Sequence, residues 1–164
     1  MPLGKGKVWT YNYNARLRTG VEKLAVTGPT AISGHQGFIL EGPMGRCAMA
    51  WKGVDLVASE LAGVWYDPPL LLIRDGVRDG KGELSGKAII AGQSFRYQGT
   101  WTQEPIKHQL GTRKLSAIKV ERELTFDANT LKTTTVFVPG IGIVRQEEKW
   151  NGEFRALLNY VTGP

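Results

Sequence analysis

One cysteine, Cys47, stands among the 164 residues, so no intramolecular disulfide forms, and four-thiolate or mixed Cys/His zinc sites lack their ligands. That excludes a disulfide scaffold without excluding an oxidising compartment. Histidine is almost as scarce. His35 and His108 lie far apart with no companion pattern, and they are expected to be ordinary loop or strand-end residues, not a metal site or a general base. No apolar run approaches the roughly 20 residues of a membrane helix; the longest is PPLLLI, Pro68 to Ile73. The opening MPLGKGKVW also lacks the apolar core of a signal peptide. The chain is therefore expected either to be cytoplasmic or to be a mature form, in the cell envelope or periplasm, from which a leader was removed. Helical periodicity is short as well. Only VDLVASELAG fits it, with Asp55 as cap, Leu56, Val57, Glu60 and Leu61 at helical spacing, and Gly63 as stop, so one short helix is expected there.

Glycine and proline are plentiful, at 21 and 8 residues, and mark many turns. With 41% hydrophobic and 22% charged residues, the composition is that of an ordinary globular protein, and the length suits a single domain over residues 1–164. The net charge of +6 favours anionic partners but does not choose among nucleic acid, anionic lipid and acidic polymer.

Period-two alternation is the dominant pattern. VWTYNYNARLR puts Trp9, Tyr11, Tyr13, Ala15 and Leu17 on one face, and Thr10, Asn12, Asn14, Arg16 and Arg18 on the other. SFRYQGTWT repeats this, with Phe95, Tyr97, Gly99 and Trp101 opposite Arg96, Gln98, Thr100 and Thr102. AIKVERELTF alternates Ile118, Val120, Leu124 and Phe126 against Lys119, Glu121, Glu123 and Thr125, with Arg122 alone out of place on the apolar face. DANT then supplies a turn, and the β-branched TTTVFV a returning strand. Asn151-Gly152, between IGIVRQEEKW and EFRALLNYV, predicts a type I′ hairpin. Short apolar segments bounded by glycine, VEKLAVTG, GFILEG and RCAMAW, read as further strands. Pro139-Gly140 is expected to form a type II turn or a bulge that redirects a strand without ending the sheet. Asp75 to Glu83, DGVRDGKGE, has no periodicity and is expected to be an exposed loop.

Several chemistries fail on inspection. GKGELSGK misses the phosphate-loop pattern twice, since Lys81 stands where glycine is required and Ala88 where serine or threonine is required. GQSFR has Arg96 where a nucleophile elbow needs glycine. Glu121 and Glu123 share their face with Lys119, which makes a solvated charged stripe rather than a glycosidase pair. Cys47 shares a face with Met49 and Trp51, as a buried inert thiol would. The aromatics carry more weight. Trp9, Tyr11, Tyr13, Phe95, Tyr97 and Trp101 are the candidate ligand-binding residues, on a face that either fills a core or lines a cavity for one apolar ligand. They also raise single-stranded nucleic-acid binding by stacking, but Arg16, Arg18 and Arg96 alternate to the opposite face, which argues against it.

PLGKGKVWTYNY near the start, and VFVPGIGIVRQE followed by LLNYV near the end, resemble bacterial exported lipoprotein-like β domains. Those domains open on a PL..G..W.Y strand and close on an aromatic-Ala-Pro-Gly-Val-Gly-Leu-Val strand. Pro139, Gly140, Gly142 and Val144 agree with the latter, while Phe137 and Val138 stand where Tyr and Ala are frequent. The resemblance implies a cell-envelope β-barrel or half-barrel, with similar folds that carry lipids, and no catalytic residue to transfer.

The expectation is thus an all-β domain, a coiled antiparallel sheet forming a barrel or half-barrel, with one short helix. A non-enzymatic envelope module is expected, binding a lipid, another apolar or amphipathic ligand, or an envelope protein partner on its concave aromatic face, with no metal and no cofactor. The alternatives are a structural or interaction domain with a filled core, and single-stranded nucleic-acid binding.

Overall fold

The structure, a computed structural model, describes residues 2–163. Twelve strands follow one another without a helix among the described residues: β1 (Val8–Ala15), β2 (Arg18–Ile32), β3 (His35–Gly42), β4 (Gly45–Lys52), β5 (Asp55–Leu61), β6 (Val64–Arg74), β7 (Gly80–Ile90), β8 (Gln93–Leu110), β9 (Arg113–Phe126), β10 (Asn129–Val138), β11 (Gly142–Trp150) and β12 (Glu153–Thr162). Each pairs antiparallel with its neighbours in sequence, and β1 pairs with β12, closing an up-and-down barrel.

The alternating pattern decides which face goes inside. Trp9 and Tyr11 of β1 have no accessible surface, while Asn12 and Asn14 on the opposite face are exposed. In β8, Tyr97 and Trp101 are buried and Arg96, Gln98, Thr100 and Thr102 are exposed. Each Trp or Tyr removes roughly 150–250 Å² from water, worth about 4–6 kcal/mol before entropy is subtracted. Because the side-chain period is two, a one-residue slip of either strand would put these rings in solvent, and this sets the register. The outer face carries Lys81, Glu83, Lys87, Arg96 and Lys132, all exposed. Such a face is unlike the apolar band of a membrane-spanning barrel. No helix is long and apolar enough to cross a membrane among the described residues.

Turns match their residues closely. Asn151 and Gly152 both take positive φ, 51° and 80°, as a type I′ hairpin demands, and Asn151 is further held by its side-chain oxygen accepting from Thr130 N–H at 2.7 Å. Pro139-Gly140 is a turn of type II character, with Gly140 at φ 79° and Ile141 N–H donating to Val138 C=O at 3.1 Å. It does more than redirect a strand: it reverses the chain between β10 and β11, and the expected irregularity sits beside it as a register shift at Val136/Phe137.

Two expectations are corrected. The segment at Val54 to Gly63 contains strand β5, not a helix. Leu56, Ala58 and Glu60 are buried in alternation, with β4 and β6 supplying ladders on both sides. A helix this short is marginal in isolation, so paired edges override its propensity. The stretch Asp75 to Glu83 is a loop only as far as Asp79, since Gly80 to Glu83 opens β7. The inward positions at its start, Gly80 and Gly82, carry no side chain and so leave no periodicity to detect there, and Gly86 follows on the same face. Close approach explains them. A Cβ on Gly82 would lie 2.7 Å from the Trp101 indole nitrogen, and one on Gly86 2.5 Å from the Asp67 carbonyl oxygen.

The tightest such approach is in β8, where a Cβ on Gly99 would meet the Glu123 carbonyl oxygen at 2.0 Å, whereas Gly20 faces open space. Gly99→Ala is expected to lower the unfolding free energy by roughly 2 kcal/mol or more, and Gly20→Ala to change it by less than about 0.5 kcal/mol. Urea denaturation of the two variants checks this, and equal midpoints would contradict it.

Candidate functional site

The barrel interior is crossed by polar as well as apolar side chains. Arg122, the misfit of the β9 pattern, points inward at 3% exposure. Its guanidinium donates to the carbonyls of Leu72 at 3.1 Å and Leu71 at 3.4 Å on β6, and to the Thr135 hydroxyl at 3.2 Å on β10. Burial pushes its pKa down to about 10, opposed by Tyr66 and Glu148, so it is still charged at neutral pH. Glu148 of β11 is also buried and accepts from the Gln146 amide at 3.3 Å. Burial raises its carboxyl above the ordinary range, against the lowering effects of Arg155, Gln146 and Arg122. Cys47 faces the same interior, its sulfur accepting from Ala62 N–H at 3.4 Å. Burial raises that thiol to about 11, which leaves it a poor nucleophile.

The six aromatic residues singled out from the sequence all sit on the inward phase, but they do not form one face. Trp9 and Tyr11 anchor to β10–β11, the indole N–H donating to Ile141 C=O at 2.7 Å and the phenol to Ile143 C=O at 2.9 Å; Tyr11 meets Tyr160 edge-on at 6.2 Å. Tyr97 belongs to a separate chain of rings, Tyr66–Tyr97–Phe126–Trp150, with centroid distances of 5.7, 5.9 and 6.1 Å. Trp101 lies under Gly80 and Gly82, with the Arg74 guanidinium 5.8 Å from its ring. Tyr13 and Phe95 are the half-buried pair. A ring with no accessible surface does not border a cavity, so a ligand reaches Trp9 and Tyr11 only if the barrel opens. Nor do the four buried rings offer a stacking surface to a base.

Concavity appears instead at one mouth, ringed by the turns after β1, β3, β5, β7, β9 and β11. There a hollow of about 350 Å³ is lined by Tyr13, Arg16, Arg18, Met44, Glu148 and Arg155, among others. A second of about 270 Å³ lies beside it, sharing Arg16 and Arg155 and adding Trp150, Glu153 and Phe154. Below Arg155 a crevice of about 20 Å³ leads to Tyr66, Arg122 and Glu148, with room for one water. Arg16 pairs with Glu153 at 3.2 Å, and Arg18 pairs with Glu22. Among the described residues no carboxylate lies within ion-pair distance of Arg155. Leu17, fully exposed, and Phe154, at 38%, flank it.

Arg122 and Arg155 were not among the sequence candidates. Arg122 had a signal, a cation in an apolar phase. Arg155 had none, because it stands at a register shift between β11 and β12 that only pairing defines: Glu148 faces Ala156 and Lys149 faces Phe154, leaving Arg155 as the extra residue. The largest of the concavities described, about 1050 Å³, lies elsewhere, along the outer side of β7–β9, where Arg96 is accompanied by Glu83, Glu123 and Asp127. His35 and His108 stay apart on β3 and β8, and no group of potential metal ligands forms among the described residues. The Glu121 stripe is as expected, with Lys119 bonded to Glu104 at 2.5 Å and 3.8 Å from Glu121.

Fold and site together define a closed, twelve-stranded antiparallel β-barrel with a packed interior and an arginine-bearing mouth. No protein-family model matches the chain, and no curated protein does. Among solved structures, a "putative lipoprotein" from Parabacteroides distasonis is similar, with a TM-score of 0.56 and 14% identity over 100% of this chain and 97% of that one. At that identity the likeness is one of fold alone.

Two outcomes follow from the interior charges. Arg122→Ala strands two carbonyls and the Thr135 hydroxyl and empties a packed position, and is expected to cost roughly 3–5 kcal/mol in denaturant unfolding, against less than about 0.5 kcal/mol for a surface change such as Thr100→Ala. For Glu148 the folded state holds a proton more tightly than the unfolded chain. Its contribution is full below the ordinary carboxylate pKa and is lost as pH rises through that range toward the raised folded value. Glu148→Gln is therefore expected to be more stable than the parent at about pH 7 and equal to it at about pH 3, as thermal unfolding across pH would record.

Proposed function

We propose that this chain is a non-enzymatic module of the cell envelope that receives an amphipathic ligand, its anionic head group at Arg155 and Arg16 and its apolar part against Tyr13, Leu17, Met44 and Phe154. The observation that carries this is Arg155: a guanidinium without an ion-pair partner among the described residues, set above a hollow and flanked by apolar side chains that folding leaves in water. A cation in that position attracts an anion, and the neighbouring apolar surface favours a ligand that carries a hydrocarbon part as well. Arg122, below the crevice, adds positive potential, offset in part by Glu148. The envelope placement is supported by the description of the similar Parabacteroides distasonis protein as a lipoprotein.

A second possibility, an interaction domain that holds nothing inside, is favoured by the complete burial of Trp9 and Tyr11. Binding on the aromatic face itself requires the barrel to open. Single-stranded nucleic acid is disfavoured by the burial of Trp9, Tyr11, Tyr97 and Trp101, which leaves no ring surface for bases to stack on.

Flotation with phosphatidylglycerol and phosphatidylcholine vesicles, together with native mass spectrometry of the purified chain, separates these. The parent is expected to prefer the anionic vesicles, and Arg16→Glu combined with Arg155→Glu to weaken that binding by at least about tenfold. Indifference to the double change would remove the mouth from consideration, and no binding at all would leave the filled interaction domain.

A further inference from the structure

The barrel closes in strand order, yet one of its seams is short. β7 pairs with β8 along its whole length, from Gly80 opposite Gln103 to Ile90 opposite Gln93. β6 meets β7 at only three positions, Trp65–Ile89, Tyr66–Ala88 and Asp67–Lys87. Beyond them the chain enters Pro68 and Pro69, which have no N–H to offer a ladder.

β6 then finds its partners elsewhere. Arg122 takes the carbonyls of Leu71 and Leu72. The Gln103 side chain accepts from Arg74 N–H at 2.9 Å and donates to Arg74 C=O at 2.8 Å and to Val77 C=O at 2.6 Å. Side chains have thus replaced β7 as the neighbour of this half of β6. Gly86 still packs against Asp67 and Pro68, but the six residues Gly80–Ser85 have a ladder on one side only, and their other edge keeps its peptide groups for water or for another strand.

We propose that this edge docks a second copy of the chain, the two β7 strands running antiparallel about a two-fold axis at Gly82. The charge pattern selects that occupant. Lys81, Glu83 and Ser85 are exposed on the outer face, and Gly80, Gly82 and Leu84 lie on the inner one. With Gly82 opposite Gly82, Lys81 of each copy faces Glu83 of the other, so two opposite-charge cross-strand pairs form symmetrically. The adjacent same-face registers place Glu83 against Glu83 or Lys81 against Lys81, and like charges directly opposite are unfavourable. A lone charged pair on an edge otherwise guards against indiscriminate strand addition; here its sign pattern admits one self-complementary register and rejects the two beside it. Gly80 and Gly82 lack side chains to block the approach of the incoming backbone.

Sedimentation velocity on the intact chain tests this. A dimer is expected at about 100 μM, with amide exchange of Gly80–Ser85 slowing as concentration rises. Lys81→Glu and Glu83→Lys are exposed changes, and each is expected to weaken the dimer by at least about tenfold, while the two combined restore it. A monomer at that concentration, a dimer indifferent to either single reversal, a double variant that stays monomeric, or exchange at Gly80–Ser85 independent of concentration each overturns the proposal. Capture of a different protein's strand by a chain that is itself monomeric does so as well.

Discussion

A buried guanidinium ties the two walls of this barrel together. Arg122 projects from β9 across the interior to the carbonyls of β6, in the stretch where β6 has parted from β7. Twelve strands enclose a wide ring, and a ring of that size is either hollow or collapsed. Here it is collapsed: Arg122 and Gln103 bond to the β6 backbone, and Gln146 on β11 approaches the Met44 sulfur from the opposite wall at 3.6 Å. Burying such a cation is costly unless its donors are satisfied, and carbonyls freed by two prolines are suitable acceptors. The lost ladder and the misplaced arginine account for each other.

From this collapse the rest follows. With the walls in contact, the aromatic residues become wedges rather than the lining of a chamber. Trp9 and Tyr11 bond to the backbone of β10–β11, and the Tyr66–Tyr97–Phe126–Trp150 series spans four strands. Glycines in β7 and β8 let Trp101 and the Asp67 and Glu123 carbonyls approach within distances that no Cβ tolerates. Among the concavities described, those that reach toward the interior lie where the collapse ends, at the mouth around Arg155. The polar residues beneath, Glu148 and Arg122, keep the floor of that mouth charged, so its chemistry is set by the same groups that hold the walls.

The arrangement also bears on where partners can reach the molecule. The interior offers a single small crevice among the concavities described, so the surfaces open to a partner are the rim and the outer face. At the rim, cationic and apolar side chains stand side by side. On the outer surface, the short β6–β7 seam exposes backbone that a closed barrel ordinarily conceals. Both features originate in Pro68-Pro69, which end the ladder, and in the register shift that pushes Arg155 out of line.

Much of this was legible in the chain. Alternation identified β1, β8 and β9 and the inward phase of Trp9, Tyr11, Tyr97 and Trp101, because a period of two on a half-buried sheet is a local property. Asn151-Gly152 specified its hairpin because few pairs accept two consecutive positive φ angles. Other features depend on partners distant in sequence. β5 is a strand because β4 and β6 flank it, and the start of β7 was invisible because Trp101 and β6 require glycine where an apolar marker would otherwise stand. Arg155 became a mouth residue through a bulge that exists only once β11 and β12 pair, and Arg122 could be seen as out of place but not given acceptors 50 and 51 residues away. The amino-acid order by itself determined strand phase and turn type, since these are governed by sterics and solvation within a few residues. Only the tertiary structure decided whether the ring was hollow or collapsed, because that depends on contacts between opposite walls.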